Sequence, residues 1–294
     1  MRRPILLVAV MIIAVLVASS AAYATHSWNG YHWARTANPF TLKLGDNVSS
    51  TWDSYLNTAS SDWSQSTVLD TTKVNGGTTP KDCKPTLGRV EVCNYAYGQN
   101  GWLGVASIWI YTGTKHIAQG TVKLNDSYFN TSTYNTPAWR NLVSCQEVGH
   151  TFGLDHQDEN FDNSNLGTCM DYTRDPSTNQ HPNQGDYDQL LCIYDPATNH
   201  KRLTTDTHHC RGTGHTDSTT SVGANAAGKL PAEANRSFND LRELGRLVRK
   251  NGRYELYERT FSDGSKLVSW VIRDKEDTGS SPQETTGPVS TPTT

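Results

Sequence analysis

The chain carries little net charge: 26 Lys and Arg against 29 Asp and Glu leave −3 over 294 residues. No basic patch interleaved with aromatics occurs in it, which argues against a nucleic-acid partner. It has no C-x-x-C pair, so its six cysteines do not read as metal ligands. It has no internal repeats. Its one long apolar run, Ile5 to Val17, falls short of the about 20 residues that a membrane span needs. What remains is an abundance of Thr, Ser, Asn and Gly with eight Trp, the composition of a loop-rich secreted globule. This length holds one large domain or two small ones.

The N-terminus agrees with secretion. Arg2-Arg3 forms a short basic region, Ile5 to Val17 an apolar one, and Ala22-Tyr23-Ala24 a small-x-small cleavage site. A signal peptide over 1–24 is expected, with no stable membrane insertion once it is removed; an uncleaved anchor is the alternative. In a secreted chain the cysteines are expected as disulfides. Nearest-neighbour pairing gives Cys83–Cys93, Cys145–Cys169 and Cys192–Cys210.

The densest chemistry lies in Cys145-Gln146-Glu147-Val148-Gly149-His150-Thr151-Phe152-Gly153-Leu154-Asp155-His156. Gln146 and His150 are four apart, so on a helix they share a face with Glu147 beside them. Gly153 breaks the helix, because only glycine turns the chain sharply without a Cβ penalty. The turn returns His156 to the same point. Three donors and an open fourth position describe a catalytic zinc site. A plain core helix would explain Val148, Phe152 and Leu154, but it has no use for Gln, Glu and His on one face. Downstream stands Gly167-Thr168-Cys169-Met170-Asp171-Tyr172. A Cys145–Cys169 bond would clamp the two stretches together.

The first stretch resembles the metzincin zinc-peptidase signature H-E-x-x-H-x-x-G-x-x-H, with Gln146 in place of the first His. The second resembles the Met-turn, which would put Met170 under the metal. In the astacin and serralysin branches a Tyr two places after that Met assists the reaction, and Tyr172 has that spacing. The resemblance is matrixin-like and covers roughly residues 38–200. It implies an α+β fold, α/β-like, in which a mixed twisted sheet carries an active-site helix, the Met-turn and a closing helix. It implies one Zn2+ held by Gln146, His150 and His156, Glu147 as general base, Tyr172 as a second catalytic group, and a polypeptide substrate taken by a monomer. Gln157, after the third ligand position, matches no branch. A latency propeptide, usual in this family, has only about a dozen residues of room before the first expected strand.

The remaining chain reads as follows. Phe40–Leu44 alternates as a strand, and Asp46 or Asn47 is expected to cap a helix with Val48, Trp52, Tyr55, Leu56, Ala59 and Trp63 on one stripe. A strand near 67–69 and a Gly- and Thr-rich loop follow. Gly101–Ile110 reads as a buried strand and His116–Leu124 as another. The resemblance implies an edge strand shortly before the zinc helix that pairs with extended substrate; by order alone residues 117–124 are the candidate, with an ordinary edge strand as the alternative. Thr136 and Pro137 open the active-site helix. Asp158 to Asn165 is acidic; hard oxygen donors make Ca2+ conceivable there, although the spacing suits a solvated loop better. Pro182–Tyr194 is the closing helix. His26 and His32 read as surface or packing residues, and His200, His208 and His209 as surface ones.

The catalytic domain is thus expected over 25–210, a linker over 211–235, and a small C-terminal segment over 236–274. That segment reads as a helix over Ser237–Lys250 and a hairpin turning at Ser262-Asp263-Gly264-Ser265. A disordered tail is expected over 275–294.

The glutamine leaves two functions open. An amide oxygen is a harder and weaker zinc ligand than imidazole nitrogen. The chain is either a secreted zinc endopeptidase with a loosely held ion or a catalytically silent domain that binds a protein or peptide in the old cleft. A third reading is another metal or a related hydrolysis, such as an amidase.

Overall fold

In the computed structural model, residues 26–194 and 229–275 are described. The expected signal peptide, Cys210, His200, His208, His209 and the tail from 276 lie outside them. Among the described residues, no helix is long and apolar enough to cross a membrane.

The strands are β1 (His32–Trp33), β2 (Phe40–Asn47), β3 (Leu69–Asn75), β4 (Val90–Tyr95), β5 (Trp102–Ile110), β6 (His116–Asn125), β7 (Arg246–Asn251), β8 (Tyr254–Thr260) and β9 (Lys266–Arg273). The helices are α1 (Asp53–Trp63), α2 (Asp126–Phe129), α3 (Pro137–His150) and α4 (Gln184–Tyr194). All nine strands form one sheet in the order β3-β2-β4-β6-β5-β9-β8-β7, with β1 pairing on β6. From β3 to β6 the pairing is parallel; from β6 through β5 to β7 it is antiparallel. The fold is α+β, a mixed sheet with a few helices, as expected.

The sheet is covered on both faces. One core joins α1 (Leu56, Ala59, Trp63), α3 (Leu142, Val143, Val148) and sheet residues including Val122, Val268 and Trp270. The other, on the far face, gathers Trp102, Val105 and Trp109 under Leu230, Ala234, Phe238 and Leu244. Covering on both sides explains why every residue of β5 is buried.

Four expectations are corrected. First, residues 117–124 are not an edge. β6 is hydrogen-bonded to β4 on one side and β5 on the other. Its order in the chain suggested an edge, but its polar positions bond the C-terminal region. Gln119 Nε2 donates to Asn235 Oδ1 at 3.3 Å, and Lys123 Nζ to Phe238 O at 2.6 Å. Second, Ser237–Lys250 is no helix. It is a short 3-10 turn, Leu241–Glu243, followed by β7. Phe238, Leu241 and Leu244 pack in the far core, whereas Val248 packs against the first. Gly245, at φ +105°, separates the two parts, and a Cβ on it would lie 2.4 Å from Glu258 O. A helical stripe thus came from two elements facing opposite ways. Third, Asp46 and Asn47 do not cap α1, since β2 runs through them. The position before α1 is Trp52, with no side-chain cap bond. Asn47 instead donates to Glu91 at 2.7 Å. Fourth, residues 230–235, read as the end of a linker, form a 3-10 turn (Ala232–Asn235) that buries Ala234.

The C-terminal hairpin forms over the expected residues, but it extends the main sheet through eight paired positions of β9 on β5. Cys83–Cys93 and Cys145–Cys169 are bonded. The second joins α3 to the turn that carries Met170.

Candidate metal and catalytic site

Helix α3 is the platform. Thr136 caps it by accepting from Trp139 N, and Pro137 fills its first turn. The last turns present Gln146, Glu147 and His150 inward. The chain then reverses at Gly153, with φ +93°; a Cβ there would lie 2.0 Å from Tyr31 O. Residues near the start of the described chain hold this reversal. Asp155 N donates to His26 O at 2.7 Å, and Trp28 N to Gly153 O at 3.3 Å. His26 is buried against Asp186, 3.1 Å away, and His32 is buried too, so neither is a surface residue.

The reversal brings His150 Nε2 and His156 Nε2 to 3.2 Å of each other. His150 Nδ1 lies 3.0 Å from the Leu154 carbonyl, an obligate acceptor, so the ring proton sits on Nδ1. His156 Nδ1 lies 3.5 Å from Asp155 Oδ1 and makes no hydrogen bond, so it is a buried atom without a partner. His150 Nε2 therefore turns its lone pair towards His156 Nε2. Burial, and then the neighbouring imidazole, push His150 well below the ordinary histidine range. Burial also lowers His156, against the pull of Asp155. Burial alone would raise the Asp155 carboxyl, but the His156 and Arg249 contacts outweigh it and hold the group below the usual carboxylate range. Arg249 grips Asp155 with two bonds, at 2.6 and 2.8 Å.

Gln146 Nε2 donates to Cys169 O at 2.8 Å, while its Oε1 is buried without a partner. Glu147 Oε2 is orphaned as well. Each such atom costs about 1–3 kcal/mol when left unpaired. Burial raises the Glu147 carboxyl well above its ordinary value, opposed only by the Ala106 backbone amide. Glu147 presses on β5, since a Cβ added to Gly104 would meet its Oε1 at 2.7 Å. Met170 lies under the helix, as its sulfur would be 2.8 Å from a Cβ on Gly149. The bonds Gln157 N to Met170 O (2.6 Å) and Tyr172 N to Asp158 O (3.2 Å) tie the Met-containing turn to the His156 loop. Tyr172 then stands edge-on to His156, with ring centroids 4.4 Å apart.

All of the expected site residues around the two imidazoles are therefore brought together. By donor type, two imidazoles with adjacent Nε2 atoms and an unpartnered buried amide oxygen suit a divalent cation of the zinc type. Asp155, His156 and Glu159 also hold their donor atoms within 4.8 Å of one another. Both of those carboxylates are committed to Arg249, so this cluster reads as an ion-pair network. The Asp158–Asn165 run bonds within itself: Asn160 N to Asp158 Oδ1 and Asp162 N to Asn160 Oδ1, both at 2.9 Å. Nothing there supports the Ca2+ expectation.

Sequence reading missed the three side chains that close the site. Trp270 of β9 stacks on His150, with centroids 4.9 Å apart and planes 7° off parallel. Tyr254 of β8 stacks on Tyr172 at 4.0 Å and meets His156 edge-on at 4.6 Å. Its hydroxyl lies 3.5 Å from Gln146 Nε2, and burial pushes its pKa up to about 12. Arg249 of β7 is the third. Under them Gln146 is 0% exposed, Glu147 and His150 1% and His156 5%. Alternation over β8 and β9 signalled strands but not their dock.

No protein-family profile and no curated protein matches the chain in sequence. Solved structures similar to it include high choriolytic enzyme 1, a hatching-enzyme zinc protease from the medaka fish Oryzias latipes. That likeness has 11% identity and a TM-score of 0.32, over 57% of this chain and 96% of that one. Two structures of myroilysin are similar at 13% identity each. One has a TM-score of 0.34 over 57% of this chain and 98% of that one; the other has 0.32 over 55% and 86%.

Proposed function

We propose that the chain is a secreted, zinc-dependent endopeptidase in which Gln146, His150 and His156 hold the ion and Glu147 is the general base. The observation that carries this reading is the pair of buried imidazoles whose Nε2 atoms face each other at 3.2 Å, with His150 Nδ1 bonded to the Leu154 carbonyl and the Asp155 carboxylate beside His156. Bound zinc would supply the charge that polarises a peptide carbonyl and lowers the pKa of water to roughly 7. Glu147 takes a proton from the attacking water and hands it to the leaving amine. Leu154 O keeps the His150 ring in its liganding tautomer and orientation, and the Arg249-held Asp155 lies beside His156. The Tyr172 hydroxyl donates to the developing oxyanion. The two disulfides agree with an oxidising compartment.

A second reading, a silent domain that binds a peptide or protein, is favoured by Gln146 Nε2, which is already bonded to Cys169 O. The deciding experiment is cleavage of an unstructured polypeptide by the mature chain with added zinc, beside Glu147→Ala. On the peptidase reading, Glu147→Ala loses about 10²–10⁴-fold in rate. Equal background cleavage by both proteins would leave the silent reading standing.

A further inference from the structure

The antiparallel half of the sheet could have ended at β5. Beyond the β5–β6 pair, the next strand in space is β9, which lies much later in the chain. β5 is also the strand that borders the site, because Glu147 rests on Gly104 and Ala106. An extended polypeptide laid against that edge would gain backbone bonds from β5 and place alternate side chains over α3. β9 does both. It pairs antiparallel from Trp102↔Arg273 to Ile110↔Lys266. Opposite Ala106 it sets Trp270, whose ring covers His150 and whose Nε1 lies 3.3 Å from Asp155 Oδ1. Tyr254, on the adjoining β8, covers His156 and Tyr172.

We infer that the β8–β9 hairpin is a built-in occupant of the site's peptide edge, so that an extended polypeptide and β9 compete for β5 and the site opens only when the β5–β9 seam parts. That the displaced partner is a substrate rests on the peptidase reading; that the seam controls access does not. The seam keeps the imidazoles out of solvent, and its parting exposes them together with the bare edge of β5.

A reversible staple tests this. Ser107 and Ser269 lie opposite each other across the seam, with their hydroxyls 2.7 Å apart. Directly opposed antiparallel positions fall within disulfide reach. In the full chain carrying Ser107→Cys and Ser269→Cys, diethyl pyrocarbonate labelling of His150 and His156 is followed by mass spectrometry. The stapling bond is oxidised or reduced, and wild type is treated identically. His181, whose side chain is 55% exposed, is the internal reference. The reduced protein is expected to label both histidines at least about tenfold faster than the oxidised one, with His181 unchanged, as local opening requires. Equal labelling in the two states overturns the inference. Should the double variant not fold, Leu267→Ala in the unstapled chain carries the test, because Leu267 pairs opposite Trp109 in the far core and touches neither imidazole: faster labelling than wild type supports the inference, and an unchanged rate overturns it. Polypeptide cleavage is measured in parallel on unlabelled protein in each state of the staple. Labelling that follows the staple without cleavage by the opened, zinc-loaded protein would remove the peptidase reading and leave the seam as the gate. Cleavage that ignores the staple would remove the gate and leave the peptidase.

Discussion

A single residue decides how tightly the site would hold its ion. Gln146 offers one amide oxygen, and its other end is tied to Cys169 O. Imidazole in its place would bring a nitrogen donor suited to zinc. Gln146→His is expected to raise zinc affinity at least about tenfold, the scale on which even outer contacts move such sites. Competition against a chelator of known strength measures it, and an unchanged affinity would mean that residue 146 does not face the ion. His150 needs no such repair, since the Leu154 carbonyl already accepts from its Nδ1.

Among the elements, α3 with its reversal at Gly153 is the rigid part of the site. Gly153→Ala asks a Cβ to share space with Tyr31 O at φ +93°. Backbone strain of this kind alone costs about 1–3 kcal/mol. The variant should unfold at clearly lower urea and bind zinc more weakly, because His156 reaches His150 only through this turn. Much of this element was legible. The Thr136 cap, the Pro137 start, the glycine stop and the return of His156 are all local, and short-range chemistry fixes them. β5, β6 and the hairpin at Ser262–Ser265 were legible for the same reason. What lay opposite them was not. Alternation over Lys266–Ile272 shows that a strand forms, while its dock on β5 depends on a partner far away in sequence. The same gap explains β6, where nothing local shows that residues 234–239 cover Gln119 and Lys123. Likewise, the apolar spacing of Phe238, Leu241, Leu244 and Val248 fits a helix equally well as a turn and a strand serving two cores.

For the whole molecule, the second core places a charge on the cover. Lys123 is buried on β6, and desolvation lowers its pKa to about 7, against the attraction of Glu243 and Asp82. Between that value and the ordinary 10.5 the unfolded chain binds the proton more tightly than the folded one does. Stability therefore rises as pH climbs from about 7 towards 10, with a slope of up to about 1.4 kcal/mol per pH unit. Below that window both states carry the proton, and the penalty is fully present. Lys123→Met should flatten the slope, as read from urea midpoints at pH 7 and 9.5. An equal slope in the variant would show that the two acceptors on Lys123, Phe238 O and Asn239 Oδ1, keep it charged throughout.

The seam between β5 and β9 also sets a timetable. Ser107 and Ser269, which meet across it, are 162 residues apart in the chain. At ordinary ribosomal speed the first strand is made on the order of ten to thirty seconds before the second. For that interval the newborn protein carries a bare strand edge, the feature most prone to snag a neighbouring chain. It also carries His150 without its Trp270 cover. Biogenesis is therefore the moment of greatest exposure, and finishing the polypeptide is itself the act that closes it.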